Sequence, residues 1–275
     1  MRARVIVGLI GAPIGLALVW LGGVPLAATL LFISLAGALE YAALTRRKAW
    51  APSLPVLLGG TALFVVDAFA TRGSLSEVVL GAVLLGSLLA QVMRGSPANA
   101  VAGPSLELFG AVYCGWTASR FYLIRASLGD AGRGLAILTI ALVWLNDMGA
   151  YFTGLLFGRR KLAPTLSPRK TIEGSLGGFV WAVAGSIVYK WIGGSTGIWT
   201  TLSWPQTIAI GLIVAACGQI GDLAESAMKR DAGVKDAGRL LPGHGGALDR
   251  FDSFFFVMPA VYYWFIWAFH GFRLM

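Results

Sequence analysis

Long apolar stretches separated by short polar segments dominate this sequence. A transmembrane helix needs about 20 predominantly apolar residues, and about nine stretches approach that length. They cover residues 5–21, 24–44, 54–71, 77–93, 105–119, 134–157, 174–192, 205–221 and 252–270. Small residues are frequent within them, and such residues let helices pack closely in a bilayer. The pattern predicts an all-α fold, a polytopic membrane helical bundle with about nine transmembrane helices.

The composition supports a membrane protein. Hydrophobic residues make up 57% of the 275 residues, and charged residues make up 13%. A soluble domain carries roughly 25% charged residues, so too few charged side chains are present to cover a water-exposed surface of this size. Soluble, disordered and collagen-like classes are therefore excluded. The two cysteines lie in apolar stretches and imply no disulfide framework.

The chain is basic, with 22 Lys and Arg against 13 Asp and Glu and a net charge of +9. Because the basic residues cluster between apolar stretches, the expected partners are membrane lipids and phosphates, with no nucleic acid. A cytoplasmic N-terminus places most Lys and Arg in cytoplasmic segments, as the positive-inside rule requires. Together with the short loops, this predicts an integral protein of a prokaryotic plasma (inner) membrane whose active site faces the cytoplasm.

Acidic residues are distributed unevenly between the two halves of the chain. At membrane depth, the first 140 residues hold only the isolated Glu40, Asp67 and Glu107. Isolated acids in a membrane are functional candidates, but each of these lies near a possible helix end or bundle interface, which favours a structural role and leaves a functional one open. Most of the 13 acids fall in residues 134–275, on or beside two cytoplasmic loops. We therefore predict an N-terminal transmembrane scaffold, 1–133, with about five spans, and a C-terminal catalytic region, 134–275, with about four. The cytoplasmic loops of the catalytic region cover 158–173 and 222–251.

The segment that continues span 205–221 carries a polar stripe. At 100° per residue, one helical face holds Asp222, Glu225, Ser226 and Lys229. A solvated helix end with an i,i+4 ion pair is the structural alternative. The position of Asp222 so near the apolar stretch favours a functional site.

Two further carboxylates, Asp249 and Asp252, lie three residues apart at the start of the last span. One of them could be a helix cap. Together with Asp222 and Glu225, they supply hard oxygen ligands beside basic residues, which is the donor set of Mg²⁺ bound to substrate phosphates. We expect Mg²⁺ at Asp222, Asp249, Asp252 and Glu225, and a second cation is left open.

A glycine-rich segment, Pro242–Gly246, lies between these acids. Its glycines free backbone N–H groups to form an anion-binding turn. The nearby cations that suit a polyphosphate chain are Lys229, Arg230, Lys235 and Arg239. His244 is equally consistent with packing and with a phosphate or base contact. The chain contains no Gly-x-x-x-x-Gly-Lys-Ser/Thr motif, which excludes a P-loop nucleotide site.

A second polar segment follows span 134–157. Asp147 shares a helix face with the close-packing positions Ala150, Gly154 and Gly158, and a charge there must face a bundle interior or a wet cavity. The alternative is that Asp147 is neutral or paired and has only a structural role. Further hydroxyls and cations precede the next span at the level of lipid headgroups: Ser167, Arg169, Lys170 and Thr171. The alternative is that these cations only mark the cytoplasmic end of a span, as the positive-inside rule predicts.

These two segments closely resemble the signature of the phosphatidate cytidylyltransferase (CDP-diacylglycerol synthase) family. The residues that match in order and spacing are Ser226, Lys229-Arg230, Lys235-Asp236, Pro242, His244-Gly245-Gly246 and Asp249-Arg250-Phe251-Asp252. Asn146-Asp147 and Ser167-Pro168, Lys170-Thr171 and Glu173-Gly174 resemble a second region of that family. Ala247 departs from the larger aliphatic residue usual there.

The resemblance implies a nucleotidyltransferase that converts CTP and phosphatidic acid to CDP-diacylglycerol and pyrophosphate. It assigns Asp222 and Asp249 as the main metal ligands, with Asp252 and Glu225 close by. It further implies catalytic roles for Asp222, Asp249, Lys229, Arg230 and Asp147, and CTP phosphate contacts from Ser226, Lys229, Arg230, Lys235, Gly243, His244, Gly245 and Gly246. Ser167, Arg169 and Lys170 are assigned to the phosphatidate headgroup, and a homodimer is expected.

Three other functions remain as alternatives. A CTP-dependent lipid kinase would use the same substrate types. The spacing from His244 to Asp249 is also that of glycerolipid acyltransferases, although the basic pairs would be superfluous in such an enzyme. A transporter would place its polar site near the bilayer midplane, whereas these charges gather at one end of the spans.

Overall fold

The computed structural model describes residues 2–48, 50–127, 129–196, 202–238 and 245–270. Most of them are helical. The helices are α1 (Arg2–Leu21), α2 (Gly23–Arg46), α3 (Leu54–Ala70), α4 (Ser76–Met93), α5 (Ala102–Ala111), α6 (Thr117–Ala126), α7 (Asp130–Phe157), α8 (Ile172–Thr196), α9 (Trp204–Asp231) and α10 (Leu248–His270). A π-helical segment, Val112–Trp116, joins α5 to α6, and strands β1 (Lys161–Ala163) and β2 (Ser167–Thr171) lie between α7 and α8.

Among the described residues, 6 segments are long and apolar enough to cross a membrane. They are Gly23–Arg46, Ser76–Met93, Asp130–Phe157, Ile172–Gly193, Trp204–Asp231 and Leu248–Ala268. Each contains or overlaps a predicted span. The prediction of an all-α membrane helical bundle is therefore confirmed, and the chain is an integral membrane protein.

The other predicted spans are not among these 6 segments. Helix α1 (Arg2–Leu21) contains the predicted span 5–21, and α3 (Leu54–Ala70) nearly coincides with the predicted span 54–71 but is slightly shorter than the 6 segments. The predicted span 105–119 lies within a longer helical segment, in which the π-helical Val112–Trp116 interrupts the α-helical hydrogen bonding. The exact number of spans and the side of the N-terminus stay predictions.

The chain divides into two compact units. Unit 1 comprises the residues up to Ala126 together with Met228–Phe251, and unit 2 comprises Ser127–Ala227 together with the residues from Asp252 onward. Helices α9 and α10 each contribute residues to both units. The functional division into a scaffold, 1–133, and a catalytic region, 134–275, stays a prediction.

The core of unit 1 lies where α2, α3 and the helical segment from α5 to α6 pack together. Leu57 and Phe64 of α3 are almost completely buried there. Gly115 of the π segment approaches α3 so closely that a Cβ would lie 2.6 Å from the Thr61 carbonyl oxygen. Glycine is therefore required for this spacing between the two backbones.

Two of the isolated acids of the N-terminal half have structural partners within unit 1. The buried Asp67 accepts a hydrogen bond from the Ser76 hydroxyl at 2.8 Å. The buried Glu107 accepts one from the Ser53 N–H at 2.6 Å and forms an ion pair with Arg94 at 3.1 Å. Hydrogen bonds and ion pairs of this kind stabilise carboxylates that are buried away from water. Here they also fix the connections between helices.

In unit 2, α7 and α8 pack along the predicted seam of small residues. A Cβ on Gly174 of α8 would lie 2.7 Å from the Ala150 carbonyl oxygen, and a Cβ on Gly154 would lie 3.5 Å from the Gly174 Cα. Gly158, the third residue of the predicted seam, follows the last residue of α7 and ends the helix. The small side chains thus bring the backbones of α7 and α8 into contact.

The predicted loop 158–173 contains an antiparallel β-hairpin in which Lys161 pairs with Thr171. Glu173, in the first turn of α8, closes its base. The Glu173 Oε2 accepts hydrogen bonds from the N–H groups of Arg159 and Arg160 at 3.0 and 3.1 Å. These hydrogen bonds fix the base of the hairpin between the end of α7 and the start of α8, and so they fix the position of β2.

Candidate active site

In unit 2, an ion pair joins strand β2 to helix α9. The Lys170 Nζ lies 2.6 Å from the Asp222 Oδ2, and the two side chains are 25% and 36% exposed. One helical turn further along α9, the Ser226 hydroxyl donates a hydrogen bond to the Asp222 Oδ1 at 3.4 Å. The structure thus brings together three predicted site residues, one assigned to metal, one to CTP and one to the phosphatidate headgroup.

A polar network in unit 2 links α7, α8 and α9. The Gln219 Nε2 donates hydrogen bonds to the Asn146 Oδ1 at 3.1 Å and to the Ser175 carbonyl at 3.0 Å, and the Ser175 hydroxyl donates to Gln219. The Asn146 Nδ2 in turn donates to the Asp147 Oδ1 at 3.2 Å. Gln219 and Ser175 are absent from the predicted site residues, and their polarity within apolar spans is the signal that could have identified them.

The predicted catalytic Asp147 has an exposed side chain on α7. It interacts electrostatically with Asp222 and Lys170. A carboxylate within a membrane-spanning helix is expected to face a wet cavity or the bundle interior. Asp147 therefore lies near the pair that Lys170 and Asp222 form.

The other two predicted metal ligands of unit 2 have different surroundings. Glu225 is fully buried, whereas its neighbour on the same helical face, Asp222, is partly exposed. The Asp252 Oδ1 accepts a hydrogen bond from the Ser253 N–H at 2.6 Å. Where α9 meets α10, a Cβ on Gly221 would lie 2.7 Å from the Asp252 carbonyl oxygen. This close contact is therefore made by the backbone.

In unit 1, Asp249 occupies the first turn of α10 and has three partners. Its Oδ1 lies 2.7 Å from the Lys229 Nζ, and the two side chains are only 7% and 13% exposed. Its Oδ2 accepts hydrogen bonds from the Ala237 N–H at 2.9 Å and from the Gly246 N–H at 2.8 Å. Asp249 therefore fixes two points of the chain on either side of residues 239–244, which lie outside the described ranges.

The glycine-rich segment is only partly described. Gly243 and His244 lie outside the described residues. Gly245 has a φ of +83°, in the left-handed region that glycine adopts without strain. The N–H of Gly246 is directed to Asp249. The assignment of this segment to CTP phosphates stays a prediction.

The remaining predicted binding residues lie nearer the surface of their units. Arg230 is exposed and donates a hydrogen bond to the Val234 carbonyl at 3.0 Å. Lys235 and Arg169 are also exposed, and Ser167 is half-buried.

Comparison with known proteins assigns the family. A model described as the cytidylyltransferase family matches residues 2–268. The chain belongs to this family. It is also similar to proteins named phosphatidate cytidylyltransferase from Synechocystis sp. (34% identical, covering 94% of each chain) and Bacillus subtilis (35%, covering 96% of this chain and 97% of the relative). A third such relative, from Staphylococcus haemolyticus, is 33% identical over 94% of this chain and 96% of its own length.

Membership of the cytidylyltransferase family confirms the family resemblance seen in the sequence and the prediction of a nucleotidyltransferase. Within the described ranges, no group of three or more His, Cys, Asp or Glu side chains could by itself hold a metal ion. Mg²⁺ bound with substrate phosphates needs only one or two protein carboxylates. In donor chemistry, Asp222 and Asp249 of this cytidylyltransferase each fit such an ion, and each has a lysine as its present counter-charge.

Proposed function

We propose that this chain transfers the cytidylyl group of CTP to phosphatidate, giving CDP-diacylglycerol and pyrophosphate. The observation that carries the proposal is similarity over nearly the whole chain to relatives named phosphatidate cytidylyltransferase. The structure adds carboxylate and lysine side chains, in each unit, of the kind that phosphoryl chemistry requires.

The reaction needs no general base. A phosphate monoester has a second pKa near 6, so phosphatidate is largely dianionic at neutral pH. One of its phosphate oxygens attacks the α-phosphorus of CTP. A new P–O bond forms there as the bond to the oxygen that bridges to the β-phosphorus breaks, and pyrophosphate leaves with that electron pair. The barrier comes from bringing two polyanions together, and positive charge lowers it.

The cations of the chain are assigned accordingly. Lys170, with Ser167 and Arg169, is proposed to contact the phosphatidate headgroup. Because Lys170 is paired with the partly exposed Asp222, an incoming phosphate can take over this lysine from the carboxylate. The proposed contacts to the CTP phosphates are those of the sequence signature: Ser226, Lys229, Arg230, Lys235 and Gly243–Gly246.

The metal is assigned to the acidic residues. When bound, Mg²⁺ would neutralise charge on the triphosphate. Asp222 and Asp249 are the proposed ligands, with Asp252 and Glu225 as further carboxylates. Asp147 is proposed as a catalytic residue on the family resemblance, and its position near Asp222 and Lys170 supports this.

The cellular setting of the reaction is also a proposal. The asymmetric distribution of Lys and Arg supports a cytoplasmic N-terminus and an active site facing the cytoplasm. Bacterial relatives support a prokaryotic plasma membrane. A homodimer is proposed on the family resemblance alone, and the mass of the purified protein in a defined detergent tests it.

The function is tested with purified protein, phosphatidic acid in mixed micelles, Mg²⁺ and CTP labelled on either the α- or the γ-phosphate. Label from the α-phosphate should enter the lipid fraction only when all three components are present, with one pyrophosphate released per lipid formed. Transfer of the γ-label would indicate a lipid kinase instead. Absence of labelled lipid under all conditions would refute the proposal.

A further inference from the structure

Glu40 lies on α2, in the half of the chain predicted to be a scaffold, yet it contacts the start of α10. Its Oε1 accepts a hydrogen bond from the Ala247 N–H at 2.9 Å, and its Oε2 accepts one from the Leu248 N–H at 2.9 Å. Ala247 and Leu248 are buried. The first N–H groups of a helix have no intrahelical acceptor. Glu40 therefore caps α10 from a position 207 residues away in the sequence.

The segment around the carboxylate is shaped to contain it. A Cβ on Gly246 would lie 2.2 Å from the Glu40 Oε2, and a Cβ on Gly238 would lie 2.2 Å from the Glu40 Oε1. Any side chain at either glycine would displace the carboxylate. Glu40 thus lies between two parts of the chain, one on each side of residues 239–244.

Asp249 contacts the neighbours of these same positions. Its Oδ2 accepts hydrogen bonds from the N–H groups of Ala237 and Gly246. Ala237 adjoins Gly238, and Gly246 adjoins Ala247, so both carboxylates lie against the same two parts of the chain. A shift of Glu40 would therefore move the peptide groups that orient the Asp249 carboxylate.

We propose that Glu40 is a positioning residue for cytidylyl transfer and that it acts through Asp249. The inference rests on the proposed function. It assigns to the N-terminal half a direct part in arranging a predicted metal ligand, in addition to its part in spanning the membrane. Glu40 itself contacts backbone N–H groups of its own chain and is not proposed to touch a substrate.

The first test is the Glu40→Gln variant. Glutamine has the same size but only one acceptor oxygen, so its NH₂ group would face one of the two N–H donors. We expect kcat to fall by about tenfold or more while the KM for CTP changes by less than about threefold, because misplacement of a catalytic group acts chiefly on the transition state. Glu40→Asp retains the charge but withdraws the carboxylate by one methylene, and it should lose kcat in the same way.

The decisive measurement is a double-mutant cycle with Asp249→Asn. If Glu40 acts through Asp249, adding Glu40→Gln to Asp249→Asn should lower the residual kcat by less than about twofold. A merely structural role would lower the activity by the same factor in both backgrounds. All rates are expressed per folded molecule, with the folded fraction taken from thermal unfolding in detergent. If Glu40→Gln does not fold, Glu40→Asp enters the same cycle.

Glu107→Gln is the matched control, because Glu107, which is buried where Glu40 is half-buried, is likewise a carboxylate of unit 1 that accepts a backbone N–H, but it makes its contacts with Ser53 and Arg94. It should retain kcat within about threefold per folded molecule. Normal kcat in either Glu40 variant, or full additivity with Asp249→Asn, would overturn the inference while the wild-type protein still makes CDP-diacylglycerol. If the wild-type protein makes none, the proposed function fails instead.

Discussion

Lys170 and Asp222 form an ion pair with an Nζ–Oδ2 distance of 2.6 Å in unit 2. Both side chains are partly exposed, so the pair can open without burying an uncompensated charge. Under the proposed assignments, an arriving phosphate would compete with Asp222 for Lys170, and an arriving cation would compete with Lys170 for Asp222. The pair would then couple the binding of an anionic lipid to the binding of a metal.

Replacement of Lys170 by Met should weaken the binding of phosphatidate. A charge-assisted hydrogen bond contributes about 1.5–3 kcal/mol, so the KM for phosphatidate, measured against its surface mole fraction in mixed micelles, should rise by about 10- to 100-fold. Lys161→Met is the matched control, because Lys161 lies on the same hairpin and has an exposed side chain. An unchanged KM in Lys170→Met would remove this lysine from the headgroup site.

Asp222→Asn should lower kcat by at least about 100-fold, because it removes a charge that acts in the transition state. The thermal unfolding midpoint in detergent should change little, since the carboxylate is partly exposed. Asp231→Asn is a suitable control, because Asp231 also lies on α9 but pairs with the exposed Lys48 at 2.9 Å. Near-normal turnover of Asp222→Asn would exclude Asp222 from the mechanism.

Asp249→Asn should lower kcat to a similar degree and, unlike Asp222→Asn, should also destabilise the protein. Asp249 is 7% exposed, accepts two backbone N–H groups and pairs with Lys229. Asparagine keeps only one acceptor oxygen, so its NH₂ group must face either Lys229 or the two backbone N–H groups, which costs about 1–3 kcal/mol. The thermal unfolding midpoint measures this loss. Equal midpoints for Asp222→Asn and Asp249→Asn would contradict the difference in burial.

The transmembrane helices could be predicted because the length and hydropathy of a membrane-crossing helix are local properties of the sequence. The predicted bounds of α2, α3 and α4 lie close to the observed ones. The π-helical segment Val112–Trp116 was not predicted, and the close approach of its Gly115 to α3 is a tertiary contact that no local pattern encodes. The hairpin before α8 was not predicted either, because it depends on hydrogen bonds from Arg159 and Arg160 to Glu173.

For the candidate site, the sequence indicated which residue types carry the chemistry but not which of them meet. Lys170 and Asp222 were predicted to have separate roles, and their ion pair is a tertiary contact that no local pattern encodes. Glu40 was predicted only as an isolated acid, with a structural role favoured and a functional role left open. The Glu40 carboxylate accepts hydrogen bonds from the backbone N–H groups of Ala247 and Leu248. Every residue except proline carries such a group, so the identity of residues 247 and 248 could not reveal these contacts.

Removal of divalent cations should abolish turnover without unfolding the protein. Chelation by excess EDTA should stop the formation of labelled CDP-diacylglycerol, and Mg²⁺ in excess over the chelator should restore it. Because Asp222 and Asp249 each have a lysine counter-charge, the fold does not depend on the ion, and the thermal unfolding midpoint should be the same with and without EDTA. Undiminished turnover in EDTA would contradict a role for the metal.

Gly115→Ala should destabilise unit 1 by overpacking. The added Cβ would lie 2.6 Å from the Thr61 carbonyl oxygen and 2.8 Å from its Cα, and these are backbone atoms that cannot move aside as a flexible side chain can. Overpacking of this kind costs about 1–3 kcal/mol. Gly81→Ala is the matched control, since Gly81 is also helical and a Cβ there would meet nothing within 4 Å. Thermal unfolding in the same detergent should give a lower midpoint for Gly115→Ala and an unchanged or higher midpoint for Gly81→Ala, because alanine favours the helical backbone. Equal midpoints would show that α3 and the π segment can move apart without loss of stability. Gly115 would then not determine the spacing between them.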